Sequence, residues 1–93
     1  MANLIQQPIP LDQIKAGQQA VIVGLEHSGV QRRRLMDLGF VPGTQIEIAL
    51  KNPLGDPTAY LVRGAVIALR RVQARQIQVA LVESTAVQEN NAS

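Results

Sequence analysis

The chain has 93 residues, a hydrophobic fraction of 46%, 17% charged residues and a formal net charge of +2. That length supports one small core, and its balance of apolar and charged residues excludes wholesale disorder. With no cysteine, it can build neither a disulfide framework nor a thiolate metal site.

The opening MANLIQQPIP has no basic stretch followed by an apolar core, and no apolar run approaches the roughly 18 residues of a membrane span. A cytoplasmic protein is the expectation, with residues 1–10 as an N-terminal extension. Pro8 and Pro10 precede LDQIKAG, where Asp12, Ile14 and Lys15 suit a single helical turn that Gly17 stops. QAVIVGL is short and β-branched, which predicts a first strand with both faces at least partly covered.

SGVQRRRLMDLG predicts a helix. Ser28 with Gln31 three residues later has the spacing of a capping box, in which hydroxyl and amide each satisfy a free backbone donor. Val30, Leu35 and Leu38, with Met36 nearby, are the expected apolar face, leaving Arg32, Arg33 and Asp37 outside. Gly39 is placed to take the left-handed conformation while Phe40 folds back on Leu35, the hydrophobic partner of a Schellman ending. In VPGT, Pro42 and Gly43 occupy the central positions of a type II turn, where glycine supplies the positive φ.

TQIEIALK predicts a strand in which Ile46, Ile48 and Leu50 face inward and Gln45, Glu47 and Ala49 alternate with them. NPLGDP is a loop broken by Pro53, Gly55 and Pro57. TAYLVRG and AVIALR, separated by little more than Gly64, predict a close hairpin or a sharply bent strand pair. RVQARQ suits a single helical or 3₁₀ turn. IQVALV is the last strand, with Ile77, Val79 and Leu81 on one face. STAVQENNAS has no core pattern, so residues 84–93 are expected to form a flexible tail. About five short strands with one inserted helix predict a mainly β fold, a small bent antiparallel barrel whose closure hides its edges.

The succession of a strand, RRRLMDLGFVPGT, NPLGDP and AVIALRRVQARQIQV resembles the ferrous iron transport protein A (FeoA) family. The likeness runs from about Leu11 to Val82, with a domain over 11–83. It rests on several segments in order: arginine and leucine before aspartate and glycine, Gly43 after proline, Pro57 after the glycine loop, and Leu69 and Arg70 before Ala74 and Ile77. The resemblance implies a Src-homology-3-like (SH3-like) barrel, cytoplasmic and non-enzymatic, assisting FeoB, a large membrane ferrous-iron transporter with a GTP-hydrolysing domain. Similar barrels form the C-terminal domain of metal-responsive repressors of the diphtheria-toxin-repressor type, so fold alone does not assign the role. No DNA-reading segment is expected before this barrel, which favours the transport accessory.

The candidate residues carry two readings each. Arg32, Arg33 and Arg34 could pair with phosphates or acidic side chains through the guanidinium fork. They could equally form a solvated face, with Arg33 and Asp37 as a weak surface pair and Arg34 laid across the barrel. Arg32, Arg33, Leu35, Met36 and Leu54 are the candidate partner contacts. Ser28, Gly39, Pro42, Gly43, Pro57 and Gly64 are structural.

His27, the one histidine, would need Glu26 with Asp37 or Glu47, or a neighbouring molecule, to build a metal site. No metal or cofactor is therefore expected. No nucleophile with a base and no phosphate-binding glycine loop can be assembled, so catalysis is not expected. One Phe and one Tyr disfavour both proline-motif recognition and base stacking, although a small nucleic-acid-binding barrel is the alternative reading. The expected partner is the cytoplasmic part of FeoB, with weak self-association as a further option and without nucleic acid or membrane insertion.

Overall fold

The computed structural model describes residues 7–82. The expected tail at 84–93 and the first six residues of the N-terminal extension lie outside that range. The elements, in order, are β1 (Ile9–Pro10), a 3₁₀ turn (Leu11–Gln13), β2 (Gln19–Leu25), α1 (Gly29–Asp37), β3 (Gln45–Lys51), β4 (Thr58–Val62), β5 (Ala65–Leu69), α2 (Arg71–Ala74) and β6 (Ile77–Leu81). All strand pairs are antiparallel, in the order β1-β6-β2-β3-β4-β5. The five strands expected from the sequence are present. The sixth is β1, where Ile9 pairs with Val79 and Pro10 with Gln78.

This sheet has two free edges, β1 and β5. The chain leaves β1 directly into the 3₁₀ turn and leaves β5 directly into α2, and those two helical pieces pack on each other. The sheet is thus closed at its seam by two short turns of helix. Bulges between Ile22 and Gly24 and between Ile48 and Leu50 supply the bend. Inside lie the fully buried Leu11, Ile22, Phe40, Ile46, Val62, Ile77 and Val79.

Local chemistry accounts for the connections. β4 and β5 are joined by the two residues Arg63 and Gly64, with Val62 opposite Ala65. Their φ values, +53° and +80°, are those of a type I′ turn, whose twist matches the flanking strands. The VPGT turn forms as expected, with Thr44 N–H donating to the Val41 carbonyl at 3.1 Å and φ of +93° at Gly43. In the β3–β4 loop the Asn52 Oδ1 accepts from Leu54 N–H at 2.8 Å. The Asp56 carboxylate accepts from Arg71 N–H at 2.9 Å, satisfying a free donor at the start of α2.

Several expectations are corrected. The first helical turn ends at Ile14, which turns extended to enter the core at 2% exposure. Gly17, at φ +90°, belongs to a separate turn closed by Gln18 N–H on the Lys15 carbonyl. β2 buries one face through Ala20 and Ile22, and its other face is partly covered as expected, with Val21 half-buried and Val23 46% exposed. Leu50 is exposed because the bulge before it breaks the alternation of β3. The capping box at Ser28 does not form: Ser28 is the N-cap residue, but its hydroxyl caps nothing. Gly29 enters α1 at φ +61°, so the first turn does not present its N–H groups to that hydroxyl.

Candidate functional site

α1 is about two and a half turns long, and only Leu35 on it is fully committed to the core. At about 100° per residue, Val30 lies roughly 140° around the helix from Leu35. It faces solvent at 78% exposure, so it is not part of the buried face. Leu38, Gln31 and Arg34 lie on one flank of Leu35, and Met36 and Arg32 lie on the other.

The C-terminus of α1 is built as the sequence implies. Gly39 N–H donates to the Met36 carbonyl at 3.0 Å and Phe40 N–H to the Leu35 carbonyl at 3.0 Å, the two bonds of a Schellman motif. Phe40 and Leu35 join the same core. Arg63 packs over this end of the helix: a Cβ added to Gly39 would meet Arg63 Cδ and Val62 Cγ1 at 3.2 Å.

The flank carrying Gln31, Arg34 and Leu38 does not close onto the barrel. It forms one wall of a cleft of about 160 Å³, opposite Ile67, Ala68 and Leu69 of β5 and Gln73 of α2, with His27 among the lining residues. The volume is well below the roughly 300 Å³ at which small-molecule sites begin; it suits a single side chain. His27 is 5% exposed, and neither ring nitrogen makes a hydrogen bond of good geometry. Burial holds its pKa below the ordinary value, partly offset by the nearby Gln73 backbone and by the Glu26 carboxylate. The ring is therefore favoured in its neutral form.

A larger open depression of about 570 Å³ runs along β3, lined in part by Gln19, Gln45, Glu47 and Arg63. Its amides are already engaged. Gln45 Nε2 donates to Gln19 Oε1 at 2.9 Å, and Gln19 Nε2 donates to Glu47 Oε1 at 3.4 Å.

The residues singled out in the sequence are dispersed. Arg32 is partly buried and its Nη1 donates to the Leu25 carbonyl at 3.1 Å, tying α1 to the end of β2. Leu35 is in the core at 4% exposure, which removes it from any surface. Arg33 is exposed and Met36 half-buried. Leu54 is 89% exposed on the loop that Asp56 ties to α2. Arg34, Leu38, Gln31, Gln73 and the β5 residues are the cleft residues not singled out as contacts. The helical wheel drawn from Leu35, without Val30, already groups Gln31, Arg34 and Leu38. Among the described residues, no group of three or more His, Asp or Glu side chains could hold a metal ion.

The bent six-stranded sheet with its inserted helix defines a small SH3-like β-barrel, with a side-chain-sized cleft between the helix and an edge strand. The FeoA domain model matches residues 9–81, and the chain belongs to that family. A curated relative, the Fe(2+) transport protein A/Fe(2+) transporter FeoB fusion protein of Porphyromonas gingivalis, is 41% identical over 76 residues, which is 82% of this chain and 9% of the relative. The chain thus spans less than a tenth of that protein. The solution structure of the FeoA protein from Chlorobium tepidum superposes with a TM-score of 0.76 at 32% identity, covering 86% of this chain and 76% of that one. A zinc complex of Stenotrophomonas maltophilia FeoA, described as a prokaryotic SH3 domain protein, superposes with a TM-score of 0.65 at 27% identity over 78% of this chain and 88% of that one.

Proposed function

We propose that this protein is a cytoplasmic accessory of ferrous-iron uptake that binds the cytoplasmic part of a FeoB-type transporter and modulates its assembly or GTP-linked activity. It acts by binding and without catalysis. The observation that carries this reading is the Porphyromonas relative, in which a domain 41% identical to this chain shares one polypeptide with the transporter. Fusion raises the effective concentration of one partner for another, and a separate chain must achieve the same encounter through a recognition surface. No helix among the described residues is long and apolar enough to cross a membrane.

The contact surface in this reading is the exposed side of α1, with Arg33 and Arg34, together with the cleft beside it. Exposed arginines also suit phosphates, the basis of the alternative reading. However, nucleic-acid barrels of this kind stack bases on exposed aromatics, and Phe40 and Tyr60 are buried at 0% and 2% exposure.

The test is a binding measurement between the purified chain and the cytoplasmic region of its transporter in nucleotide-free, GDP and GTP-analogue states. Binding in at least one state is expected, weakened about tenfold or more by the double charge reversal Arg33→Glu, Arg34→Glu. Arg32 is left intact because its reversal would break the tie to Leu25. Failure to bind in all three states would sink the proposal.

A further inference from the structure

The modest net charge conceals a clustering of the arginines along the chain. All seven arginines lie on α1, in the β4–β5 turn, or on α2 and its two flanking residues, where Asp37 is the one acidic residue; the rest of the sequence carries two lysines against six carboxylates. Two of those segments, α1 and α2, border the cleft. Gln31 and Arg34 of α1 with Leu38 at its C-cap form one wall, Gln73 of α2 lies in the other, and Arg63 covers the C-terminal end of α1. Arg34 lines the cleft itself. Two arginines lie elsewhere: Arg32 donates to the Leu25 carbonyl, and Arg71 lines a separate depression with Asp12 and Gly55.

His27 is the second, independent observation. Both ring nitrogens are buried without a hydrogen bond of good geometry, the Gln73 backbone being the one polar group near enough to act on the ring, and a buried polar group left so poorly satisfied is costly. It lines a cleft with room for one side chain. The walls supply apolar contact from Leu38, Ile67 and Leu69, amides from Gln31 and Gln73, and a guanidinium from Arg34. An incoming group that is anionic, accepts hydrogen bonds and is carried on a short aliphatic stem satisfies all of these at once.

We propose that the cleft between α1, β5 and α2 is a recognition pocket for a glutamate or aspartate side chain on an acidic segment of the partner protein. The carboxylate pairs with His27 and Arg34, and the surrounding arginines attract the acidic residues that flank it. This rests on the preceding reading for the identity of the partner, but the pocket's chemistry stands apart from it. A phosphate-bearing ligand is an outcome of the test.

Binding couples to the protonation of His27. The charged groups beside the ring or lining the cleft with it are Glu26 and Arg34; Arg32, Arg33 and Asp37 of α1 and Arg71 of α2 do not line the cleft, to which β5 and α2 contribute the uncharged Ile67, Ala68, Leu69 and Gln73. A bound carboxylate favours the imidazolium, so the complex takes up a proton. Affinity therefore rises as pH falls through the bound-state pKa and levels off below the free-state pKa.

The experiment titrates the full chain with two kinds of probe at pH 5.5, 6.5 and 7.5. One is the intact cytoplasmic region of the transporter. The other is a synthetic 12-residue peptide of alternating leucine and glutamate, compared with its glutamine counterpart and with a phosphoserine peptide. Affinity is read by anisotropy and the location by amide chemical shifts. The expected result is that the glutamate peptide binds at least about tenfold more tightly than the glutamine peptide. Shifts should be centred on residues 27–38 and 67–73, and affinity should be lost toward pH 7.5.

His27→Gln should abolish the pH dependence, and Arg34→Gln should weaken binding without abolishing that dependence. Equal affinity for glutamate and glutamine peptides overturns the proposal, as do shifts confined elsewhere or preference for the phosphoserine peptide. If the peptide binds the cleft and the transporter region does not bind, the transporter reading fails and the pocket stands. If the region binds with no shift at the cleft, the pocket fails and the transporter reading stands.

Discussion

Tyr60 shows how strongly one buried position responds to its surroundings. It is 2% exposed, and its phenol pKa is pushed up to about 12, first by burial, with the Asp12 and Asp56 carboxylates adding to the effect and a hydrogen bond with Thr58 opposing it. The unfolded chain ionises near 10 and the folded one near 12, so the unfolded state loses its proton first. Stability is full below pH 10 and falls as pH rises from 10 to 12, by an amount on the order of 2–3 kcal/mol for a shift of this size. The chain has one Tyr and no Trp, so ultraviolet absorbance during an alkaline titration follows this phenol alone. The expected midpoint lies well above 10 and moves back toward 10 in denaturant. A folded-state midpoint at 10 would contradict the burial of Tyr60. His27 obeys the opposite rule: burial lowers its pKa, so the unfolded chain binds the proton more readily, and stability falls as pH drops through and below 6.5. His27→Gln should flatten that acid limb of a denaturation-versus-pH series.

At the scale of elements, the end of α1 and the turn after it invite a comparison between two glycines. Gly39 and Gly43 have φ of +114° and +93°, so alanine at either position is forced into a left-handed conformation at a cost of roughly 1–2 kcal/mol. Around Gly43 an added Cβ meets nothing, whereas at Gly39 it meets Val62 and Arg63 at 3.2 Å. Gly39→Ala should therefore lower the denaturation free energy more than Gly43→Ala, by about a further 1 kcal/mol or more, read from urea midpoints at constant slope. Equal losses would mean that Arg63 does not pack on the helix end. Both glycines were legible in the sequence because their signals are local: a helix cap followed by a hydrophobic residue, and a proline–glycine pair. Ser28 failed for the opposite reason. Its capping pattern was intact, but the left-handed φ of Gly29 governs where the hydroxyl sits, and no residue spacing encodes it. Leu50 failed because a bulge, a two-strand property, shifted its face.

At the scale of the molecule, the sequence gives up the strands more readily than the closure. Each strand has its own pattern, but the contact between the 3₁₀ turn and α2 joins residues some 60 positions apart, and no local signal announces it. The cleft was hidden in the same way, since its walls come from α1, β5 and α2. Ile9 and Pro10 lie at this seam. They pair with Val79 and Gln78 and lead straight into Leu11, which is fully buried; Ile9 itself packs against the core. A chain beginning at Leu11 would thus expose β6 as a new edge and release the 3₁₀ turn from its anchor. The loss of Ile9 alone removes part of the roughly 1.5–3 kcal/mol that full burial of such a side chain contributes. The expected outcome is a urea midpoint lowered by about 1–3 kcal/mol equivalent, together with concentration-dependent association, because an unpaired strand is a template for another chain. Sedimentation velocity at several concentrations measures the second effect separately from the first. If the shortened chain keeps both its midpoint and its monomeric state, then β1 contributes nothing to closure, and the seam is held by the packing of Leu11 and α2 alone.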